Sequence, residues 1–155
     1  MYRKILVPVD GTGASDAGLA LAARVAGATG GTLRLVHVVD GFRRSAGTAA
    51  LTAEMRAAIR ERGRQILAAA SQRVASLPGA AEVELIEKVH VPASQLIVDE
   101  ASASGSELIV IGTHGRHGID RFVIRSQAEQ ILRRAPVPVL LVRAAEDENA
   151  TSAPS

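Results

Sequence analysis

The fold is decided by residues 5–13, which read Ile5-Leu6-Val7-Pro8-Val9 and then Asp10-Gly11-Thr12-Gly13. The first five are apolar and rich in β-branched residues, a pattern typical of a strand that is covered on both faces. The turn residues that follow end this strand. From Ser15 to Thr29 apolar residues recur at helical spacing, and Gly30-Gly31 then provides a helix stop. The sequence therefore predicts a strand, a turn and a helix in succession.

The same pattern repeats along the rest of the chain. Further strands are predicted at Leu33 to Val39, Val83 to Val89, Leu108 to Ile111 and Val139 to Val142. Further helices are predicted between a loop at Asp40 to Gly47 and Pro78, from Pro92 to Ala103, and from Ser126 to Arg134. Five strands that alternate with four helices predict an α/β fold. We expect a Rossmann-like three-layer sandwich with helices on both faces of a five-stranded, mainly parallel sheet.

Length and composition fit one domain and exclude several classes of function. The 155 residues predict a single domain over residues 1–143 and a polar tail over 144–155 that we expect to be disordered. Because the chain has no cysteine, disulfides and thiolate chemistry are excluded, and we expect a cytoplasmic protein. No apolar run approaches the roughly 18 residues of a membrane span. The net charge of +2 comes with scattered arginines and 2% aromatic residues, which does not indicate a nucleic-acid surface.

Ligands of parallel α/β sheets bind outside the carboxyl ends of the strands, which makes Asp10, Asp40 and the loop from Gly112 candidates to converge on one crevice.

Two known phosphate-binding motifs are absent from the sequence. The chain has no Gly-x4-Gly-Lys-Ser/Thr, so it has no P-loop. A dinucleotide-binding turn is also excluded on strict spacing, because Asp16 stands where its third glycine is needed.

The strongest motif is Gly112-Thr113-His114-Gly115, followed after nine residues by Arg125-Ser126 at the predicted start of a helix. Glycines allow the backbone to approach a phosphate closely, and a helix N-terminus offers unpaired N–H groups to an anion. The same residues are also compatible with a flexible surface loop. Local pattern alone leaves both interpretations open.

Isolated polar residues have equally simple structural explanations. Asp10 has the chemistry to accept from an adenine amino group or a ribose hydroxyl, or else to cap the following turn. His37 and His90 are expected to be satisfied by backbone groups. His114 and His117 lack a convincing third ligand, so we predict no metal site, and a triad of Ser126, His114 and Asp120 is only a chance combination.

Two segments carry a resemblance to a known family. Lys4-Ile5-Leu6-Val7-Pro8-Val9-Asp10-Gly11 and Gly112-Thr113-His114-Gly115-Arg116 resemble signatures of the universal stress protein family. The closing stretch from Ser126 to Val142 is similar to the same family. The resemblance extends over nearly the whole chain up to Arg143, with matching order and spacing of elements.

The resemblance implies a small cytoplasmic homodimer joined through its last strand, here Val137 to Val142, from a family with an ATP-binding branch and a branch that binds no nucleotide. The implied ligand is ATP or AMP, with Mg²⁺ as a companion ion, and no nucleic acid or membrane is implied. In the binding branch an Asp after the first strand and a Val after the second hold the adenosine. The candidate residues are Val9, Asp10, Val38, Val39, Ile111, Gly112, His114, Gly115, Arg116, Arg125, Ser126 and Gln127.

Arg125 stands where the ATP-binding branch has the third glycine of its Gly-x2-Gly-x9-Gly-Ser/Thr motif. A side chain there can block the close approach of backbone to phosphate. Alternatively, its guanidinium can replace the lost backbone contacts with a charge-assisted fork of donors. We favour an adenine-nucleotide-binding stress protein that acts by regulation or protection. The alternatives are a dimeric interaction module whose crevice is filled by Arg125, and a slow ATP hydrolase.

Overall fold

A parallel sheet with helices on both faces organises the chain. The structure is a computed structural model. It describes residues 1–39, 52–77, 81–87, 91–113 and 121–144, and for residue 83 and residues 121–126 it describes the backbone alone.

Strands and helices alternate through these residues, as the sequence predicts. The strands are β1 (Lys4–Pro8), β2 (Thr32–Val38), β3 (Glu82–Ile86), β4 (Leu108–Thr113) and β5 (Val139–Arg143). The helices are α1 (Gly13–Thr29), α2 (Ala53–Arg73), α3 (Ala93–Ser104) and α4 (Arg121–Arg134). Thr12 caps the start of α1 with its hydroxyl, and Gly30 ends the helix at a φ of +67°, which favours glycine.

The five strands form one sheet in the order β3-β2-β1-β4-β5. All four neighbouring pairs are parallel, so the prediction of a mainly parallel sheet is confirmed. β1 lies at the centre, while β3 and β5 lie at the two edges of the described sheet. No helix in the described ranges is long and apolar enough to cross a bilayer.

β1 shows why the sheet needs helices on both faces. Ile5, Leu6 and Val7 are each fully buried. Ile5 and Val7 belong to the core that the sheet shares with α1 and α2, whereas Leu6 belongs to the core shared with α3 and α4. Successive side chains of a strand point to opposite faces, so a wholly apolar strand requires cover on both. Burial of each such side chain contributes roughly 1.5–3 kcal/mol.

The boundary that matters most for function differs from the prediction. β4 continues through Thr113 because Gly112 and Thr113 extend the β4–β5 register opposite Val142 and Arg143. α4 begins at Arg121 rather than Ser126. The predicted loop of residues 112–125 is therefore wrong at both ends. The sequence offered a signal for the earlier start, because residue 120 is an aspartate, a residue type favoured at helix N-caps.

Candidate functional site

The candidate site is the place where the strand order reverses, which we call the switch-point edge. It comprises the carboxyl ends of β1 and β4 together with the first turn of α1. β1 and β4 are paired neighbours, yet the chain continues from β1 to β2 on one side and from β4 to β5 on the other. Helices diverge at such a point and leave a crevice, which is where α/β sheets bind ligands. The fold places Asp10 and Gly112 at this edge.

Asp10 closes the turn that leads into α1. Its Oδ1 accepts hydrogen bonds from the backbone N–H of Thr12 at 2.9 Å and from the Thr12 hydroxyl at 2.6 Å. The Thr12 hydroxyl in turn accepts from the backbone N–H of Ser15 at 3.3 Å. The Asp10 side chain is exposed. Its carboxylate is therefore oriented by the protein through one oxygen and remains accessible to a ligand.

Gly112 lies directly beneath the first turn of α1. A Cβ built on Gly112 would stand 1.7 Å from the carbonyl oxygen of Ala14 and 3.0 Å from the backbone nitrogen of Ser15. A Cβ built on Gly18, one turn further along α1, would stand 2.8 Å from the nitrogen of Gly112. Real Cβ atoms do not approach other heavy atoms so closely, so both positions need glycine for packing alone. Close packing against α1 is therefore enough to explain why residue 112 is a glycine, and the explanation needs no contact with a phosphate.

The four apolar candidate residues are mostly core residues. Val9 and Val39 lie just after β1 and β2 rather than inside them, and their exposed fractions are 4% and 3%. Val9 packs in the α1–α2 core and Ile111 in the α3–α4 core, so these two side chains point to opposite faces of the sheet. Val38 is half-buried and keeps accessible surface at the edge. Among the four, the Val38 side chain is best placed to touch a ligand.

The remaining candidates divide into two groups. Arg125 and Ser126 lie in the second turn of α4, not at its start, so their backbone N–H groups fall within the helical ladder. Gln127 is half-buried on the same helix. The other predictions lie outside the described residues, and they concern Asp40, His90, His114, Gly115, Arg116, His117, Asp120 and the tail from residue 145 onward.

A cavity of about 300 Å³ opens between α1 and α2 beside this edge. Its lining includes Val9, Gly11 and Ser15 on one side and a stripe of α2 on the other. Asp16 and Arg73 also line it, and their side chains form an ion pair at 2.7 Å. Among the described residues that line the cavity, Val9 is the one predicted site residue.

Charged side chains at the same end of the sheet are paired with each other. Arg60 of α2 donates two hydrogen bonds, both of 2.6 Å, to the carboxylate of Glu87, which directly follows β3. These bonds hold the pKa of Glu87 below its ordinary value because they stabilise the ionised carboxylate. Arg60 is therefore engaged within the protein and is a poor candidate for a phosphate ligand.

Sequence reasoning missed three residues that build the edge. Thr12 carried a usable signal, since threonine before a helical pattern is a favoured N-cap. Ser15, with 6% of its surface exposed, accepts a 3.1 Å hydrogen bond from the backbone N–H of Asp10. Gly18 gave no signal, because its contact with β4 is between distant parts of the chain. His37 is satisfied by backbone as predicted, since its Nδ1 lies 2.7 Å from the carbonyl oxygen of Val9.

Comparisons with known proteins agree on one family. Residues 1–143 match the model of the universal stress protein family. A universal stress protein of Methanocaldococcus jannaschii is 29% identical over 153 residues, which span 96% of this chain and 86% of that protein. The crystal structure of a universal stress protein family member from Burkholderia pseudomallei is 30% identical, with a TM-score of 0.74. That match covers 93% of this chain and 97% of the other.

Three more distant structures of the same fold contain adenine nucleotides. A universal stress protein from Archaeoglobus fulgidus in complex with dAMP has a TM-score of 0.66, 24% identity and coverage of 91% and 98% of the two chains. A universal stress protein in complex with cAMP has a TM-score of 0.63, 22% identity and coverage of 93% and 98%. A family protein from Arabidopsis thaliana with AMP bound has a TM-score of 0.64, 13% identity and coverage of 97% and 95%.

Proposed function

This chain belongs to the universal stress protein family, and we propose that it binds an adenine nucleotide, ATP or AMP, at the switch-point edge. The observation that carries the proposal is the position of Asp10 and Gly112 where the strand order reverses. The complexes of structural neighbours with dAMP, cAMP and AMP support the choice of ligand class. They share this fold and differ from this chain in most residues.

In this proposal Asp10 holds the nucleoside end of the ligand. Its Oδ1 is engaged by Thr12, which leaves Oδ2 to accept from an amino group or a ribose hydroxyl. Val38 supplies apolar contact, and Val9, Val39 and Ile111 contribute mainly through backbone, since their side chains are buried. A carboxylate belongs at this end because it would repel phosphate.

The phosphates would lie towards α4. The amides of a helix's N-cap and of its first three residues have no partner within the helix, and in the described part of α4 these amides belong to residues 121–123. Ser126 is too far along the helix to offer a free amide, so its proposed contribution is limited to its hydroxyl. We assign the positive charge to Arg125 and Arg116, with His114, Gly115 and Gln127 as further contacts. In the described residues no group of three His, Cys, Asp or Glu side chains is arranged to hold a metal, so Mg²⁺ would arrive with the triphosphate.

The activity that follows is binding, with regulation or protection in a cytoplasmic stress response as its consequence. Efficient phosphoryl transfer needs a positioned base or nucleophile and bound metal ions at the phosphates. The sequence has no P-loop lysine to hold the phosphates. We therefore assign at most slow hydrolysis. A ligand that favours one state of the segment between β4 and α4 would change what that surface presents to partners.

The proposed assembly is a homodimer joined along β5. β5 lies at the edge of the described sheet, and Leu140 and Leu141 are exposed by 37% and 42%. Neighbouring residues of a strand face opposite ways, so both faces of this edge carry exposed leucine. The opposite edge, β3, instead presents Glu82 and Glu84, the kind of charge that discourages strand pairing.

Binding is tested by titration calorimetry with ATP, AMP and, as a matched control, GTP, each with and without Mg²⁺. We expect measurable affinity for ATP or AMP and none for GTP. Asp10→Asn should weaken binding about tenfold to a hundredfold, since a hydrogen bond to a charged group contributes roughly 1.5–3 kcal/mol. Asp16→Asn is the control, because Asp16 is a nearby carboxylate in the first turn of α1 and is paired with Arg73. It should change affinity by less than about threefold.

The variant Arg125→Gly separates the two roles considered for that side chain. Weaker binding assigns Arg125 to the ligand, and tighter binding shows that it obstructs the crevice. Chromatographic measurement of ADP release from the same samples reports any hydrolysis. Absence of binding to every adenine nucleotide would overturn the proposed function and favour the interaction module with a filled crevice.

A further inference from the structure

The peptide between Val9 and Asp10 is held from both of its sides. Its carbonyl oxygen, on Val9, lies 2.7 Å from Nδ1 of His37 in β2. Its N–H, on Asp10, donates to Oγ of Ser15 in α1 at 3.1 Å. A peptide bond is a rigid plane, so two bonds on opposite edges fix its rotation about the chain axis. This plane leads directly into the Cα that carries the Asp10 carboxylate.

The His37 bond lies where the strand ladder stops. The register of β1 with β2 ends at Pro8 and Val36, and beyond it the backbone N–H of Val9 donates to the carbonyl of Val36 at 2.8 Å. The His37 side chain then adds one more bond between the same two segments. The connection between β1 and β2 is thereby extended by one residue, up to the start of the Asp10 turn.

α2 prevents the imidazole from turning away. A Cβ on Gly63 would stand 2.8 Å from Cδ2 and 3.4 Å from Nε2 of His37. The absence of that Cβ is what leaves room for the ring, and His37 is half-buried there. On the other side of the peptide, Ser15 is 6% exposed. Both bonds are part-buried, and both side chains are supported by packed neighbours.

The chemistry of the acceptor fixes the state of the ring. A carbonyl oxygen can only accept, so Nδ1 of His37 must carry the hydrogen. The bond serves as a structural connection between β2 and the Asp10 turn.

From this arrangement we propose that His37 and Ser15 are positioning residues that aim the Asp10 carboxylate at the nucleoside end of the ligand. The inference rests on the proposed function, in which Asp10 contacts the nucleotide. Neither residue needs to touch the ligand. Binding groups have to be held within about 0.5 Å of their working geometry, and release of one bond frees the peptide plane to rotate.

The main experiment compares two substitutions of His37. His37→Asn keeps an N–H at a similar distance from the backbone, whereas His37→Leu keeps apolar volume and removes the donor. We expect His37→Leu and Ser15→Ala each to weaken adenine nucleotide binding by about threefold to tenfold, the range of one net hydrogen bond. His37→Asn should remain within about twofold of the wild type. Affinities are compared below the unfolding transition of each variant, so that lost stability does not appear as lost affinity.

A double-mutant cycle with Asp10→Asn supplies a readout that a purely structural role would not move. If His37 acts through the Asp10 carboxylate, His37→Leu should have little further effect once that carboxylate is gone. Equal effects in both backgrounds would overturn the proposal. Unchanged affinity in His37→Leu and Ser15→Ala, with the wild type binding normally, would overturn it as well.

Nuclear magnetic resonance tests the connection without any nucleotide. Long-range ¹H–¹⁵N correlation should show the Nδ1–H form of His37, and the amide of Asp10 should exchange with solvent faster in Ser15→Ala. An Nε2–H form would refute the positioning role even if nucleotide binds. A wild type that shows the Nδ1–H form and a protected Asp10 amide but binds no nucleotide would instead refute the proposed function and, with it, the assigned ligand of Asp10.

Discussion

Substitution of Gly18 by alanine tests how closely α1 lies on β4 beneath the candidate site. The added Cβ would stand 2.8 Å from the nitrogen, 3.2 Å from the Cα of Gly112 and 3.4 Å from the carbonyl carbon of Ile111. Comfortable contacts between such atoms begin near 3.5 Å, so helix and strand must separate by about half an ångström or more. Both partners are backbone, and neither can rotate out of the way.

The expected magnitude combines two opposing effects. Overpacking of a close-packed interior costs about 1–3 kcal/mol. Alanine recovers about 0.5–1 kcal/mol over glycine within a helix. We expect Gly18→Ala to lower the free energy of unfolding by about 1–2 kcal/mol, measured by urea denaturation monitored by circular dichroism.

Gly27→Ala is the matched control, because Gly27 lies in the same helix and, among the described residues, its Cβ would meet only Leu77 Cδ2 at 3.7 Å, an ordinary contact. It should leave stability unchanged or raise it by up to about 1 kcal/mol. The difference between the two variants isolates the contact with β4. If Gly18→Ala is as stable as Gly27→Ala, the close approach of α1 to Gly112 is refuted.

Gly112→Ala tests the same steric argument at a residue of the proposed nucleotide-binding motif. Its Cβ would stand 1.7 Å from the carbonyl oxygen of Ala14, a far more severe collision than that at Gly18. We expect it to destabilise the protein more than Gly18→Ala does. Loss of nucleotide binding in Gly112→Ala is therefore not by itself a sign of phosphate contact, and Gly18→Ala becomes the necessary comparison.

Two further predictions concern acid stability and assembly. Hydrogen bonds from Lys4 and, to a smaller extent, from Arg34 lower the pKa of Glu82 in the folded protein. The ionised Glu82 therefore stabilises the fold above the pKa that this group has in the unfolded chain. This stabilisation is lost as the pH falls through the lower pKa of the folded state. The free energy of unfolding should fall below about pH 4.5, and the fall should be shallower in Glu82→Gln; parallel curves would contradict this assignment. Leu141→Arg should convert a dimer to monomers, as measured by sedimentation velocity. Leu132→Arg, at an exposed position of a helix, is the control. A monomeric wild type at micromolar concentration would refute the proposed pairing along β5.

The Asp10 turn shows what could be predicted from the sequence and what required the structure. Asp10 at the end of an apolar strand was recognisable from the sequence, and so was its role in the following turn. The structure adds that this role uses Oδ1 and that Ser15 and His37 hold the preceding peptide. Hydrogen bonds between residues far apart in sequence leave no periodic pattern, which is why they could not be predicted.

The start of α4 shows a different limit. The local helical pattern led to Ser126 as the helix start, whereas the helix begins at Arg121. Helix boundaries depend on which of several capping residues the tertiary contacts favour, and local sequence offered both choices. As a result, the backbone amides that are free to bind an anion belong to residues 121–123 and not to residues that follow Ser126.

The sequence by itself determined the alternation of strands and helices and the burial of β1 on both faces, because hydrophobic periodicity is a local property that each segment carries within itself. Only the tertiary structure decided that β1 and β4 are neighbours, that Gly112 lies under Ala14, and that His37 reaches the carbonyl of Val9. Those relations depend on how separate segments pack in space, and no single segment encodes them.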